Sequence, residues 1–76
     1  MKRQAVRSSA IRSIGYDPRE RILEVEFTDD TIYEFLPVPA ELVRALFAAE
    51  SKGTFFDERI RNSYIHRQVT DESSPT

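Results

Sequence analysis

The sequence has no cysteine and no tryptophan, one histidine (His66) and only two glycines. Without cysteine no disulfide framework exists, and one histidine cannot build a structural zinc site. A chain of 76 residues without either staple must hold itself together by packing. Long apolar runs are also missing. The longest, Ala45 to Ala49, is far below the roughly 20 residues needed to span a bilayer, so no membrane segment is expected. The basic stretch Met1 to Ser9 has no apolar run behind it and does not fit a secretory signal. The absence of cysteine fits a reducing compartment, and a cytoplasmic location is expected.

An excess of one charge sign is lacking too, because the net charge is −2. Its distribution is uneven. Lys2, Arg3, Arg7 and Arg12 precede the first acidic residue, and most carboxylates fall between Asp17 and Glu50. Nucleic-acid binders show a basic excess on one surface, which only the N-terminal stretch and Lys52 to Arg67 can offer here.

What is present is a clear order of elements. Residues 1–8 read as a flexible arm, 9–67 as one folded domain and 68–76 as a disordered tail. Ala10 to Tyr16 reads as a strand in which Ile11 and Ile14 have opposite parity, so that either a bulge intervenes or both faces are partly covered. Asp17-Pro18-Arg19-Glu20 is a turn. Arg21 to Phe27 alternates cleanly, with Leu23, Val25 and Phe27 on one face and Glu24 and Glu26 on the other. Ile32 to Leu36 forms the next strand. A two-residue turn at Asp29-Asp30 would pair Phe27 with Ile32. A three-residue bulged loop pairs Phe27 with Thr31 and Val25 with Tyr33, gathering Leu23, Val25, Phe27, Tyr33 and Phe35 on one face. Burial favours the bulged loop, which requires a left-handed backbone at Asp30.

Pro37 and Pro39 end the sheet. Pro39 is placed to open a helix whose stripe is Leu42, Val43, Leu46 and Phe47 and which runs to about Ser51. Gly53 is its expected stop, with Lys52 beside the last carbonyls. Thr54 to Asn62 predicts a short second helix capped by Thr54 or Asp57, docking Phe56, Ile60 and Tyr64 on the core. Ile65 to Val69 offers a short edge strand outside this set. The expected fold class is α+β: a three-stranded antiparallel meander packed against one main helix plus a short second helix, in the order β-β-β-α-α.

Several segments in this order resemble the KTSC domain: Ser8-Ser9 with Ile11, Ile14-Gly15-Tyr16-Asp17, and Leu23-x-Val25-x-Phe27. Tyr33-Glu34-Phe35, Val38-Pro39, Ser51-Lys52-Gly53, and Phe56 with Ile60-Arg61 and Tyr64 continue the likeness, which covers about residues 6–67. That family is named for its place at the C-terminus of some bacterial lysyl-tRNA synthetases and also occurs as short stand-alone bacterial proteins. Its Tyr-x-Tyr is here Tyr33-Glu34-Phe35, without the second hydroxyl. The resemblance implies a small α+β module in an RNA-associated setting, without implying RNA binding.

No catalytic, cofactor or metal constellation stands out. Tyr16, Tyr33, Phe35, Phe56 and Tyr64 either stack on exposed bases or fill the core, and the shortage of apolar area favours the core. Lys52, Arg61 and Arg67, near Arg59 and His66, are the candidate phosphate contacts. If Arg61 follows Ile60 towards the sheet, Asp17 or Asp57 can pair with it and its role is structural. His66 lacks the partners of a metal ligand or general base, and Ser8-Ser9 lacks an oriented base. Asp29-Asp30 reads as a turn and not as a cation site. Glu24 and Glu34 face each other across strands but lack the enclosed pocket of an acid/base pair. The expectation is a non-catalytic binding or accessory module acting through contacts with a protein partner. The alternative is a weak, salt-sensitive RNA or tRNA module using the N-terminal arm and the Lys52–Arg67 segment. A monomer or a homodimer joined at edge strands fits either.

Overall fold

A computed structural model of the protein describes residues 3–69. It contains one antiparallel sheet of five strands in sequential order: β1 (Gln4–Ala5), β2 (Ile11–Asp17), β3 (Ile22–Phe27), β4 (Ile32–Leu36) and β5 (Ile65–Gln68). Two helices, α1 (Ala40–Ala48) and α2 (Lys52–Arg59), lie in the chain between β4 and β5. The expected three-stranded β-β-β-α-α arrangement is therefore corrected. The sheet gains a strand at each edge, and a strand follows the second helix. Both additions escape a periodicity reading for physical reasons. β1 has two residues, too few to show a period, and all four residues of β5 are exposed, so no apolar alternation marks it.

Residues 4–8, expected within a flexible arm, supply β1 and a turn in which the Ser8 hydroxyl accepts from the Ala10 and Ile11 amides at 3.2 Å each. Of the expected tail, Gln68 lies in β5, and the Val69 amide extends the ladder to the Ile32 carbonyl at 2.8 Å. The rest of that tail, 70–76, lies outside the described residues, as do Met1 and Lys2.

Register follows burial. Val25 faces Tyr33 and Leu23 faces Phe35, while the Phe27 amide donates to the Thr31 carbonyl at 2.8 Å. This is the bulged loop, and Asp30 takes the left-handed backbone it requires, with φ of 73°. A bulge between Ile11 and Ser13 reconciles the opposed parity of Ile11 and Ile14, and both are buried. Arg21 is also left-handed, with φ of 59°. Its carbonyl accepts the Val38 amide at 2.9 Å, so the turn before β3 is tied to the segment that leaves β4.

Helix α1 opens at Pro39 and buries Val43 and Leu46. It ends sooner than its stripe suggests, because the Ala49 amide turns back to the Leu46 carbonyl. Gly53 is not a helix stop. It lies inside α2, whose cap is Ser51 and neither Thr54 nor Asp57: the Ser51 hydroxyl accepts the Thr54 amide at 3.4 Å. A Cβ on Gly53 would sit 3.5 Å from that of Ala10, an ordinary contact. Phe56 and Ile60 drop from α2 onto Leu23, Val25 and Phe35, completing a single core on one face of the sheet. Among the described residues no helix is long and apolar enough to cross a membrane.

Candidate functional site

Most of the aromatic rings hold the fold together. Phe35 and Phe56 are 3% and 1% exposed and meet edge to face at 5.0 Å, with Phe27 against Phe56 at 5.4 Å. The Tyr16 hydroxyl donates to the Val38 carbonyl at 2.6 Å, and Tyr64 packs partly buried against the core. Tyr33 differs, because its half-buried ring also faces a groove. With Phe35 buried, Tyr33 and Phe35 form no open stacking platform.

The structure does not bring the three candidate phosphate contacts together. Lys52 lies at the start of α2 and donates to the Ala49 carbonyl at 3.0 Å. Arg61 follows α2, bonds Asp57 through Nε at 2.7 Å and lies over the Phe56 ring at 5.3 Å. Of the two partners weighed for it, the structure supplies Asp57. Arg67 projects to the other face of the sheet, where its Nε donates to Glu34 at 2.8 Å.

That outer face carries Glu24, Glu26 and Glu34, and all three carboxylates are paired with arginines. Glu24, only 6% exposed, meets Arg3 Nη1 at 3.1 Å. Gly15 lies directly across from Glu24 and offers no side chain there, leaving room for Arg3 to reach in from the edge. Arg3 Nε also donates to the Ser13 hydroxyl at 3.0 Å, which donates to Glu26 at 2.8 Å. Glu24 and Glu34 do face each other across β3 and β4, a repulsive arrangement in isolation. Arg3 and Arg67 offset it from opposite edges of the sheet. Arg12 bonds Asp30 at 2.7 Å and the Thr28 carbonyl at 3.2 Å, pinning the β3–β4 loop. The Asp30 hydrogen bond and charge raise the Arg12 guanidinium above its ordinary pKa. In the same loop the Thr31 hydroxyl and amide, at 2.6 and 3.0 Å, hold the Asp29 carboxyl below its usual range.

An open groove of about 630 Å³ lies on the inner face of the sheet. Phe27, Tyr33 and Phe35 line its floor, Arg61, Asn62 and His66 one wall, and Ser9 with the Thr28–Thr31 loop the other. The volume is that of a ligand pocket, and the chemistry is an aromatic floor beside a guanidinium, an amide and an imidazole. Next to it runs β5, with Ile65 72% exposed on the outer face. The groove was not foreseen, and the edge only as a strand outside the expected set. The available signal was Ile65 alone among His66, Arg67 and Gln68, and it acquires meaning only once β5 is known to be the last strand. Among the described residues no group of three or more acidic or histidine side chains is placed to hold a metal.

Comparison with known proteins locates this arrangement. The pattern of the KTSC domain matches residues 7–64. The crystal structure of a KTSC domain protein from Yersinia pestis superposes with a TM-score of 0.89 at 42% identity, covering 91% of this chain and 97% of that one. An uncharacterized protein of Stutzerimonas stutzeri is 50% identical over 58 residues, 76% of this chain and 82% of that protein. A lysine–tRNA ligase of Nostoc sp. is 32% identical over 62 residues, 82% of this chain but only 11% of the ligase.

Proposed function

The chain belongs to the KTSC domain family, and from that premise we propose that it is a non-catalytic accessory module that meets other proteins through the β5 edge of its sheet. The observation that carries this reading is Ile65, 72% exposed on a strand whose four residues are all exposed. A sheet edge with an uncovered apolar side chain is an invitation to pair with another chain. The Nostoc ligase supports the reading from a different direction, since a matching segment there is part of a much longer protein. RNA is the weaker partner. Lys52, Arg61 and Arg67 sit on separate elements, and Lys52 and Arg67 already have acceptors, so few phosphate contacts remain to be made together.

A photo-crosslinking side chain placed at Ile65 in the native host tests this, with Gln4 on the opposite edge strand as control. A discrete protein adduct formed from Ile65 and not from Gln4 is the expected result. An RNA adduct, no adduct, or equal adducts from both positions would reject the reading. In parallel, tRNA added at low salt should leave the signals of Lys52, Arg61 and Arg67 in place.

A further inference from the structure

We propose that the open edge of β5 takes up an extended peptide strand in which an acidic residue adjoins an apolar one, the carboxylate entering the groove against Arg61. This rests on the protein-contact reading above and names the chemistry of the partner.

The edge has a defined polarity of backbone groups. The Val69 amide donates to the Ile32 carbonyl, and β5 pairs antiparallel with β4, Arg67 opposite Glu34 and Ile65 opposite Leu36. In an antiparallel ladder the residues that exchange hydrogen bonds alternate. Residues 65, 67 and 69 therefore turn their amides and carbonyls towards β4, and His66 and Gln68 turn theirs outwards. An incoming strand bonds to those two residues.

Side chains of the added strand then inherit the two faces of the sheet. The residue bonded to His66 lies on the inner face, beside the groove wall of Arg61, Asn62 and His66. Arg61 is held for this role. Asp57 binds its Nε and the Phe56 ring lies beneath it, which leaves the paired terminal nitrogens to grip a carboxylate in fork geometry. The neighbouring residue of the added strand lies on the outer face against Ile65, where an apolar side chain covers surface that is otherwise wet. Backbone bonds supply attachment, and alternate side chains supply selection.

A second copy of the chain is the competing occupant, and geometry argues against it. Directly opposed residues in an antiparallel pair share a face. Full overlap of two β5 strands would set His66 opposite Arg67, which point to different faces. Self-pairing must slip by one residue, opposing His66 to His66 or Arg67 to Arg67; either slip leaves only three residues of β5 overlapping, and in the second register the like charges of Arg67 destabilise the pair.

The test uses isotope-labelled protein and blocked peptides that alternate valine and threonine around one central glutamate, with a central-lysine peptide as comparison. The glutamate peptide is expected to shift the His66 and Gln68 amides and the Arg61 side-chain signal, and to bind about tenfold more tightly than the lysine peptide. Gln68→Pro deletes one outward amide while leaving the bonds to β4, as proline allows at an edge, and should abolish binding with the spectrum otherwise retained. Arg61→Glu should reverse the preference to lysine. Unmoved His66 and Gln68 amides at millimolar peptide, equal binding of the two peptides, or sedimentation as a dimer through this edge would overturn the proposal. If the peptides fail while Ile65 still crosslinks to a protein, the strand-and-carboxylate inference falls and the protein-contact reading stands.

Discussion

On the inner face of the sheet Leu23, Val25 and Phe35 are 0–3% exposed beneath two helices, whereas on the outer face of the same strands Glu24 is 6% exposed with both helices packed on the other side. The first kind of burial comes from a second layer of structure. The second comes from arginine stems lying along the sheet: Arg3 reaches over from the β1 edge and Arg67 from the β5 edge. Long basic side chains can cover surface while keeping the charge near water. Their heads also remove the repulsion between Glu24 and Glu34. The contrast teaches that the two edge strands, although short, are needed for the outer face, while the middle strands and helices suffice for the inner one. It also explains the scarcity of free basic charge, since Arg3, Arg12 and Arg67 are all committed to carboxylates.

If the inner face holds the fold, the largest loss comes from Phe56, which is 1% exposed and meets both Phe27 and Phe35. Phe56→Ala is expected to cost about 3–5 kcal/mol in urea unfolding, a large share of the stability of a small domain. A cost below about 1 kcal/mol would erase the distinction between the faces. Arg3→Ala probes the outer face at its most buried pair, with side-chain exposures of 27% and 9%. Glu24 would be left without its partner and facing Glu34, at a cost of about 1–2 kcal/mol once the remaining water access is considered. The double replacement Arg3→Leu with Glu24→Leu should cost less than Arg3→Ala alone, because no uncompensated charge is then left behind. If the double variant is the worse one, the ion pair contributes more than mutual neutralisation.

The inner face was legible in the sequence and the outer face was not, and the reason is the range of the signal. Alternation of Leu23, Val25 and Phe27 fixes one strand, and burial selects the bulged loop that places Tyr33 and Phe35 beside it. Those are contacts between neighbours in the chain. Arg3 with Glu24 and Arg67 with Glu34 link residues whose meeting depends on β1 and β5, and neither strand carries a period. The same limit applies to the candidate site. Lys52, Arg61 and Arg67 look like one basic segment in the sequence, yet α2 and the return of β5 send them to different surfaces. His66 and Ile65, plain in the sequence, become an edge and a groove wall only through the final strand.

Gly53 offers a test away from either face. Read as a helix stop, it should need its glycine; lying inside α2 without a left-handed backbone, it should not. Gly53→Ala is expected to stabilise by about 0.5 kcal/mol, because alanine loses less backbone freedom on entering a helix and the added methyl meets Ala10 at ordinary distance. A destabilised variant would mean that the approach of α2 to the turn at Ser8 and Ala10 is tighter than it looks.

The smallest effect belongs to the β3–β4 loop, which borders the groove but contributes to neither buried face. Asp29 accepts from the Thr31 hydroxyl and amide, and these bonds hold its pKa below the unfolded value. A carboxyl depressed in this way contributes stability that is present above its unfolded pKa and lost as pH falls through the folded one, so the loss is confined to pH below about 4. The carboxamide of an Asp29→Asn variant would keep an oxygen for the Thr31 amide but would carry no charge to titrate. Near neutral pH the parent should therefore have the slightly higher urea midpoint, and below about pH 4 it should fall more steeply, so that the two curves converge. Glu24, Glu26 and Glu34 remain in both proteins, so the difference between the curves isolates the loop from the outer face. Parallel curves through the acid range would assign the whole acid response to the sheet carboxylates and their arginines.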